Sequence, residues 1–361
     1  MFAELFAGVS QRLEVALRRA RASGSPVLVS VTERLPGVAD PVAIVAASRR
    51  PGESWFCFEQ PDRDGAGLAG LGCVMALEAG GEGRFSRVAG QWSALCAATR
   101  SDAVDGPPGS GLVAVGGFAF SPEGGGSASW DGFAPASLIV PEVSLARRAG
   151  STWLTLNLEA SPDDTRADLL GRVQRRLAEL RDAPLPLLDP APTGVYKVQS
   201  AMPPSHYEEA VAQALRRIRA DELEKVVLAR EVQVRAPVAH DPAAVLGLLR
   251  EAFPSCYVFA VGRGDATFLA ASPELLVRRE GQRASSVALA GSIRRSADPA
   301  VDDHLGEQLL RSEKDREENA IVARRIARML RPHAVWVTAA TDPALVRVAN
   351  IQHLATPIRA Q

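Results

Sequence analysis

Across residues 26–148 the chain runs in short apolar stretches, VLVSV, VAIVAA, WFCFE, LVAVGGFAF and SLIVPEVSLARR, separated by Gly, Pro and Asp. Stretches of this length, rich in β-branched and aromatic residues and bounded by turn formers, predict strands with few helices among them. This half is expected to form a large antiparallel sheet. The Gly-rich piece EGGGS at 123–127 reads as a loop, because it lacks the following helix and the Lys-Ser/Thr partner of a phosphate cradle. Gly116 and Gly117 read as a bulge or a close backbone contact rather than a cofactor site.

Residues 154–158 predict another strand, and 163–180 a helix with apolar positions at Leu169, Leu170, Val173, Leu177 and Leu180. Four prolines in DAPLPLLDPAPTG, residues 182–194, forbid regular structure, so the domain boundary is placed there, giving 1–195 and 196–361. Beyond it, Ser205 and Glu208 have the spacing of a capping box ahead of a helix reaching about residue 221. KVVLAREVQV, 225–234, alternates as a strand, with Lys225 on the face opposite Val226 and Leu228. A helix over 242–252 precedes strands at 256–261, 267–271, 275–278 and 285–290, with turns at 262–265 and 280–282. Two long helices, 301–311 and 313–331, and a last strand at 335–338 follow.

Composition narrows the class. A chain of 361 residues with 47% hydrophobic content and a formal charge of -1 can bury a large core and has no electrostatic reason to seek nucleic acid or an anionic membrane. No apolar run approaches the roughly 20 residues that span a bilayer. The first segment, residues 1–24, interleaves Arg12, Arg18, Arg19 and Arg21 with apolar positions, as transit peptides do; Glu4 and Glu14 and the lack of an apolar core favour an ordinary first helix. Cys57, Cys73, Cys96 and Cys256 are scattered without metal spacing and read as buried small hydrophobes of a reducing, cytoplasmic protein.

Candidate chemistry lies in AASPELLVRREGQRASSVALAG, residues 270–291, and in three other places along the chain. Glu274 follows a Ser-Pro break between apolar runs, where a carboxylate is either structural or a desolvated general acid. Lys225 opens an apolar strand, as a solvated strand end or as an amine base. In SEKDREENAIV, Asp315 and Glu318 lie one turn apart on a helix face continued by Ile321 and Val322, which suits Mg²⁺; the alternative is an ion pair of Glu318 with Lys314. His353, in IQHLAT, is either a hydrogen-bonded core histidine or a site residue.

The phrases KVVLAR, ASPELLV, ALAGSIRR, LLRSEKDREEN and IQHLAT, in that order after GGFAF, Trp130 and SLIVPEV, resemble the chorismate-binding enzymes over nearly the whole chain. The resemblance implies an α+β fold of two large, mainly antiparallel sheets packed face to face with outer helices. It also implies chorismate as substrate, Mg²⁺ as cofactor and no glutamine amidotransferase subunit; the charge balance and the lack of a long apolar run argue against nucleic-acid and membrane partners. Lys225 matches the lysine of the water-using members, and Ala290 stands where aminodeoxychorismate synthases carry a nucleophilic lysine. That combination points to isochorismate synthase, in menaquinone or siderophore biosynthesis, with salicylate synthase as the rival. By the same resemblance Lys225 would be the base that takes a proton from water and Glu274 the acid that protonates the departing C4 hydroxyl. Glu318, with Asp315 assisting, would hold Mg²⁺, and Gly291, Ser292 and His353 would contact the substrate.

Two departures stand out. Asn319 occupies a position where the family usually has histidine, and no role is carried onto it. The sequence ends at Gln361, where relatives continue into further strands, substrate-binding basic residues and a second metal-binding glutamate. The expectation is therefore a truncated isochorismate synthase, or a catalytically inactive chorismate-binding protein.

Overall fold

The computed structural model describes residues 6–99, 105–189 and 192–361; Glu4 of the first predicted helix and Pro190 of the predicted linker lie outside them. In the first part of the chain the order is α1 (Phe6–Ser23), β1 (Val27–Arg34), α2 (Pro41–Ser48), β2 (Trp55–Gln60), β3 (Ala66–Leu71) and β4 (Met75–Ala79). Then come α3 (Arg84–Ala98), β5 (Val115–Phe118), β6 (Ala136–Val140), β7 (Val143–Arg148), β8 (Ser151–Ala160) and α4 (Arg166–Glu179). They are followed by β9 (Lys197–Ser200), α5 (Pro204–Arg219), β10 (Val232–Arg235), α6 (Pro242–Ala252), β11 (Tyr257–Arg263) and β12 (Ala266–Ser272). The last elements are β13 (Arg278–Glu280), β14 (Arg283–Arg294), α7 (Pro299–Arg311), α8 (Glu313–Leu330), β15 (Val337–Ala339), β16 (Ala344–Arg347) and β17 (Ile351–Ala360). Large antiparallel sheets with helices make this an α+β fold.

The chain divides into two units, one of residues up to Leu188 with Asp241–Ser272, the other of Asp189–His240 with Pro273–Gln361. The single boundary expected between 195 and 196 is thus replaced by three crossings. The reason is strand pairing: β11 lies antiparallel beside β2, from Val258 opposite Glu59 to Gly262 opposite Trp55, and draws α6 and β12 into the first unit.

The first unit is built on a seven-stranded antiparallel sheet, β1-β8-β7-β3-β2-β11-β12. Its core includes Leu13 of α1, Ile44 of α2, Leu154 of β8, Leu246 of α6 and Val258 of β11. VAIVAA, predicted as a strand, is the helix α2. The Asp40 carboxylate accepts hydrogen bonds from the amides of Val42 and Ala43, and Pro41 opens the first turn. This cap, together with burial of Val42, Ile44 and Val45, outweighs the strand preference of β-branched residues.

A smaller sheet, β4-β6-β5, packs against α3. That helix was not foreseen, although Val88, Trp92 and Leu95 recur at helical spacing and join Leu77 and Ala136 in a small core. Gly116 behaves as its sequence implied, since a Cβ there would lie 1.8 Å from the Ser137 carbonyl oxygen. Cys57 and Cys256 are buried, but Cys73 and Cys96 are exposed and all four are free thiols, so burial is not the common feature expected of them.

In the second unit β17 is flanked by β14 on one side and by β15 and β16 on the other, with β13 beyond β14; β9 and β10 form a separate ribbon. Helix α8 covers β14 and β17 through Ala323, Ile326 and Leu330, which pack near Ala288 and Ile358. Several expected boundaries move. Helix α5 starts one residue before Ser205 with no side-chain cap, and the capping box that does form is Thr165 with Asp168 ahead of α4. The strand expected over 225–234 is confined to the four exposed residues of β10, and residues 225–231 are irregular. Residues 275–277 are irregular too, while β16 and β17 went unpredicted. Among the described residues no helix is long and apolar enough to cross a membrane.

Candidate active site

Strands β14 and β17 pair in register from Ala284 opposite Ala360 to Leu289 opposite Ala355, and again from Ser292 opposite His353 to Arg294 opposite Ile351. Between these runs Ala290 and Gly291 stand against Leu354 alone, which is a β-bulge. Gly291 takes φ +81°, and a Cβ there would come within 3.0 Å of Asp315 Cβ and 3.3 Å of the Asp315 carbonyl oxygen. Glycine is needed at this point because the first turn of α8 lies against the bulge. Just past it, Ser292 Oγ and His353 Nδ1 are 2.8 Å apart across the strands. His353 is partly buried, and desolvation pushes its imidazole pKa below the ordinary value.

Ser312 caps α8. Its hydroxyl accepts from the Asp315 amide and donates to the Asp315 carboxylate, so that carboxylate is engaged by the cap. One turn on, Glu318 is free of the cap, and its Oε1 lies 2.9 Å from Lys225 Nζ. Glu318 therefore pairs with Lys225, on the irregular segment before β10, and not with Lys314. Lys225 also lines an open cleft of about 1150 Å³ together with Glu224, Arg316, Asn319, Arg324 and Thr356.

Glu274 departs from expectation. It is exposed on the irregular stretch after β12, and Leu276 and Val277 beside it are 87% and 54% exposed, so the apolar enclosure expected for a general acid is not found. Asn319, to which the sequence assigned no role, is 1% exposed and bonded on every side. A signal for it was present: Asn319 lies on the same stripe of α8 as Ala323, Ile326 and Leu330. A polar residue on an apolar stripe requires partners.

Comparison with known proteins identifies the family. The family model described as chorismate binding enzyme matches residues 15–361. The chain belongs to the chorismate binding enzymes. Over 349 residues it is 34% identical to the salicylate biosynthesis isochorismate synthase of Pseudomonas aeruginosa, covering 96% of this chain and 71% of that protein. It is 31% identical over 253 residues to the isochorismate synthase MenF of Bacillus subtilis, covering 70% of this chain but 53% of the relative. In fold, this chorismate binding enzyme resembles the menaquinone-specific isochorismate synthase MenF of Escherichia coli. The TM-score is 0.71 at 24% identity, with 97% of this chain and 76% of that one covered.

For a metal, the donor set of this family member is narrow. No group of three His, Cys, Asp or Glu residues is clustered to hold an ion among the described residues. Asp315 is turned into the cap, so Glu318 is the carboxylate of this pair with an accessible edge, 38% exposed.

Proposed function

We infer that this chorismate binding enzyme converts chorismate into isochorismate. The oxygen of water bonds to C2, the ring double bonds shift, and the C4–O bond breaks. The observation that carries the site assignment is the ion pair of Lys225 with Glu318 at 2.9 Å, in a chain 34% identical across 96% of its length to an isochorismate synthase.

In this reading Lys225 takes a proton from the attacking water. Glu274 gives one to the departing C4 oxygen, which leaves as water, and proton return through solvent resets both groups. An amine accepts a proton only when neutral, and Lys225 Nζ lies 2.9 Å from Glu318 Oε1. Glu274, exposed as it stands, must become enclosed when substrate covers it. Ala290 presents only a methyl group at the bulge, which supports water rather than a side-chain amine as nucleophile.

Glu318 is assigned to hold Mg²⁺, whose preference for oxygen and tolerance of one or two carboxylates completed by water and substrate oxygens suits its open edge. When bound, the ion would supply positive charge to a substrate carboxylate. Ser292 and His353, fixed to each other across the strands, offer a hydroxyl and an imidazole to the ring.

The test is chorismate turnover by this chain with and without Mg²⁺, with products separated by chromatography. Isochorismate that disappears in Lys225→Ala is expected. Salicylate with pyruvate would replace the assigned product, and unconsumed chorismate would overturn the reading.

A further inference from the structure

We propose that Asn319 is the positioning residue of this site, joining the helix that carries Glu318 to the bulge that carries Gly291 and Ser292. The inference builds on the functional reading above. Asn319 Nδ2 lies 3.1 Å from the Ala288 carbonyl oxygen, 3.2 Å from that of Ala290 and 2.9 Å from that of Leu354. Its Oδ1 accepts the Thr356 hydroxyl at 2.6 Å. The orientation of the amide follows from chemistry, because three carbonyl oxygens can face only the NH₂ end.

These partners define what Asn319 does. Ala290 is the first residue of the bulge on β14, Ala288 lies two residues before it, and Leu354 is the residue that the bulge opposes on β17. A bulge leaves backbone groups without ladder partners. Asn319 meets that need from α8, one residue beyond Glu318 and one helical turn beyond Asp315, against which a Cβ at Gly291 would collide. Sheet register, the backbone at Gly291 and the placement of Glu318 are therefore set through one buried amide. Thr356 keeps that amide from flipping. A side chain filling space alone would satisfy none of these groups, and the unmet carbonyls would pull the bulge away from the helix.

The experiment compares wild type with Asn319→Asp, Asn319→His and Thr356→Val. It measures thermal unfolding, amide hydrogen exchange resolved to short peptides, and chorismate turnover with KM and kcat separated. Asn319→Asp places an oxygen against three carbonyl oxygens and is expected to raise exchange in residues 288–292 and 315–319 at least about 10-fold while distant helices keep their protection. A fall in kcat of at least about 10-fold is expected with it, smaller at low pH where a protonated aspartic acid can donate. Asn319→His, which retains one donor, and Thr356→Val, which loses only the anchor of the amide, should keep the fold and show intermediate effects.

Exchange that is unchanged in folded variants, or raised uniformly over the whole unit, would overturn the proposal. So would a kcat in Asn319→Asp equal to wild type. If wild type leaves chorismate untouched, the functional reading fails, and the local exchange pattern alone decides whether Asn319 positions the helix and bulge.

Discussion

Lys225 Nζ and Glu318 Oε1 form an ion pair at 2.9 Å, with the lysine side chain 19% and the glutamate 38% exposed. The two residues assigned to proton abstraction and cation binding thus neutralise each other. A cation that engages Glu318 must displace the ammonium, and an amine that is to act as base must give up the carboxylate.

Lys225→Met should consequently abolish turnover yet tighten Mg²⁺ binding, because the competing charge is gone. A pair this exposed is worth about 1 kcal/mol at most, which sets the gain at up to about 5-fold in Kd. Calorimetric titration of Mg²⁺ into both proteins checks this independently of catalysis. Weaker binding in the variant would mean that Lys225 supports the site rather than competes for it.

Gly291→Ala should destabilise the protein by about 1–2 kcal/mol from the left-handed backbone alone, with more from the contact against Asp315. Urea denaturation measures the loss. Gly264→Ala, at φ +55° with nothing within 4 Å of the added Cβ, serves as the control that separates backbone strain from collision.

Arg250 lies between two acids in the first unit, 2.7 Å from Asp40 and 2.7 Å from the fully buried Glu59. Arg250→Met leaves Glu59 with only Arg147 at 3.5 Å and should cost about 3 kcal/mol near neutral pH. Burial already raises the Glu59 pKa above its usual value of 4.5. A raised pKa contributes stability below the unfolded value that is lost as pH rises through the folded value. The variant should therefore regain stability, relative to wild type, as pH falls towards about 4.5; denaturation midpoints across that range give the answer.

Burial depresses the pKa of His353 from its ordinary value of 6.5. Stability from this group is complete above about pH 6.5 and is lost as pH falls through the folded pKa, because folding disfavours the imidazolium. His353→Gln should flatten the fall in melting temperature below about pH 6.5. An equal slope in both proteins would show that another group titrates there.

By itself the sequence determined the chemistry on offer and the family in which to look for it: Lys225, Glu274, Glu318, Ser292 and His353 could be singled out from local wording. It also located elements whose signals are local, such as the long apolar periodicity of α8. Tertiary structure decided what depends on partners far along the chain. VAIVAA became a helix through the Asp40 cap and burial, and α6 with β11 and β12 joined the first unit because β11 found β2. Glu318 paired with a lysine 93 positions away rather than with Lys314, Asp315 turned into the Ser312 cap, and Asn319 acquired a role through carbonyls of two strands. The division is physical: caps and periodicities are set by neighbours within a turn or two, whereas ion pairs and buried amides are satisfied by whichever groups the packed chain brings within hydrogen-bonding distance.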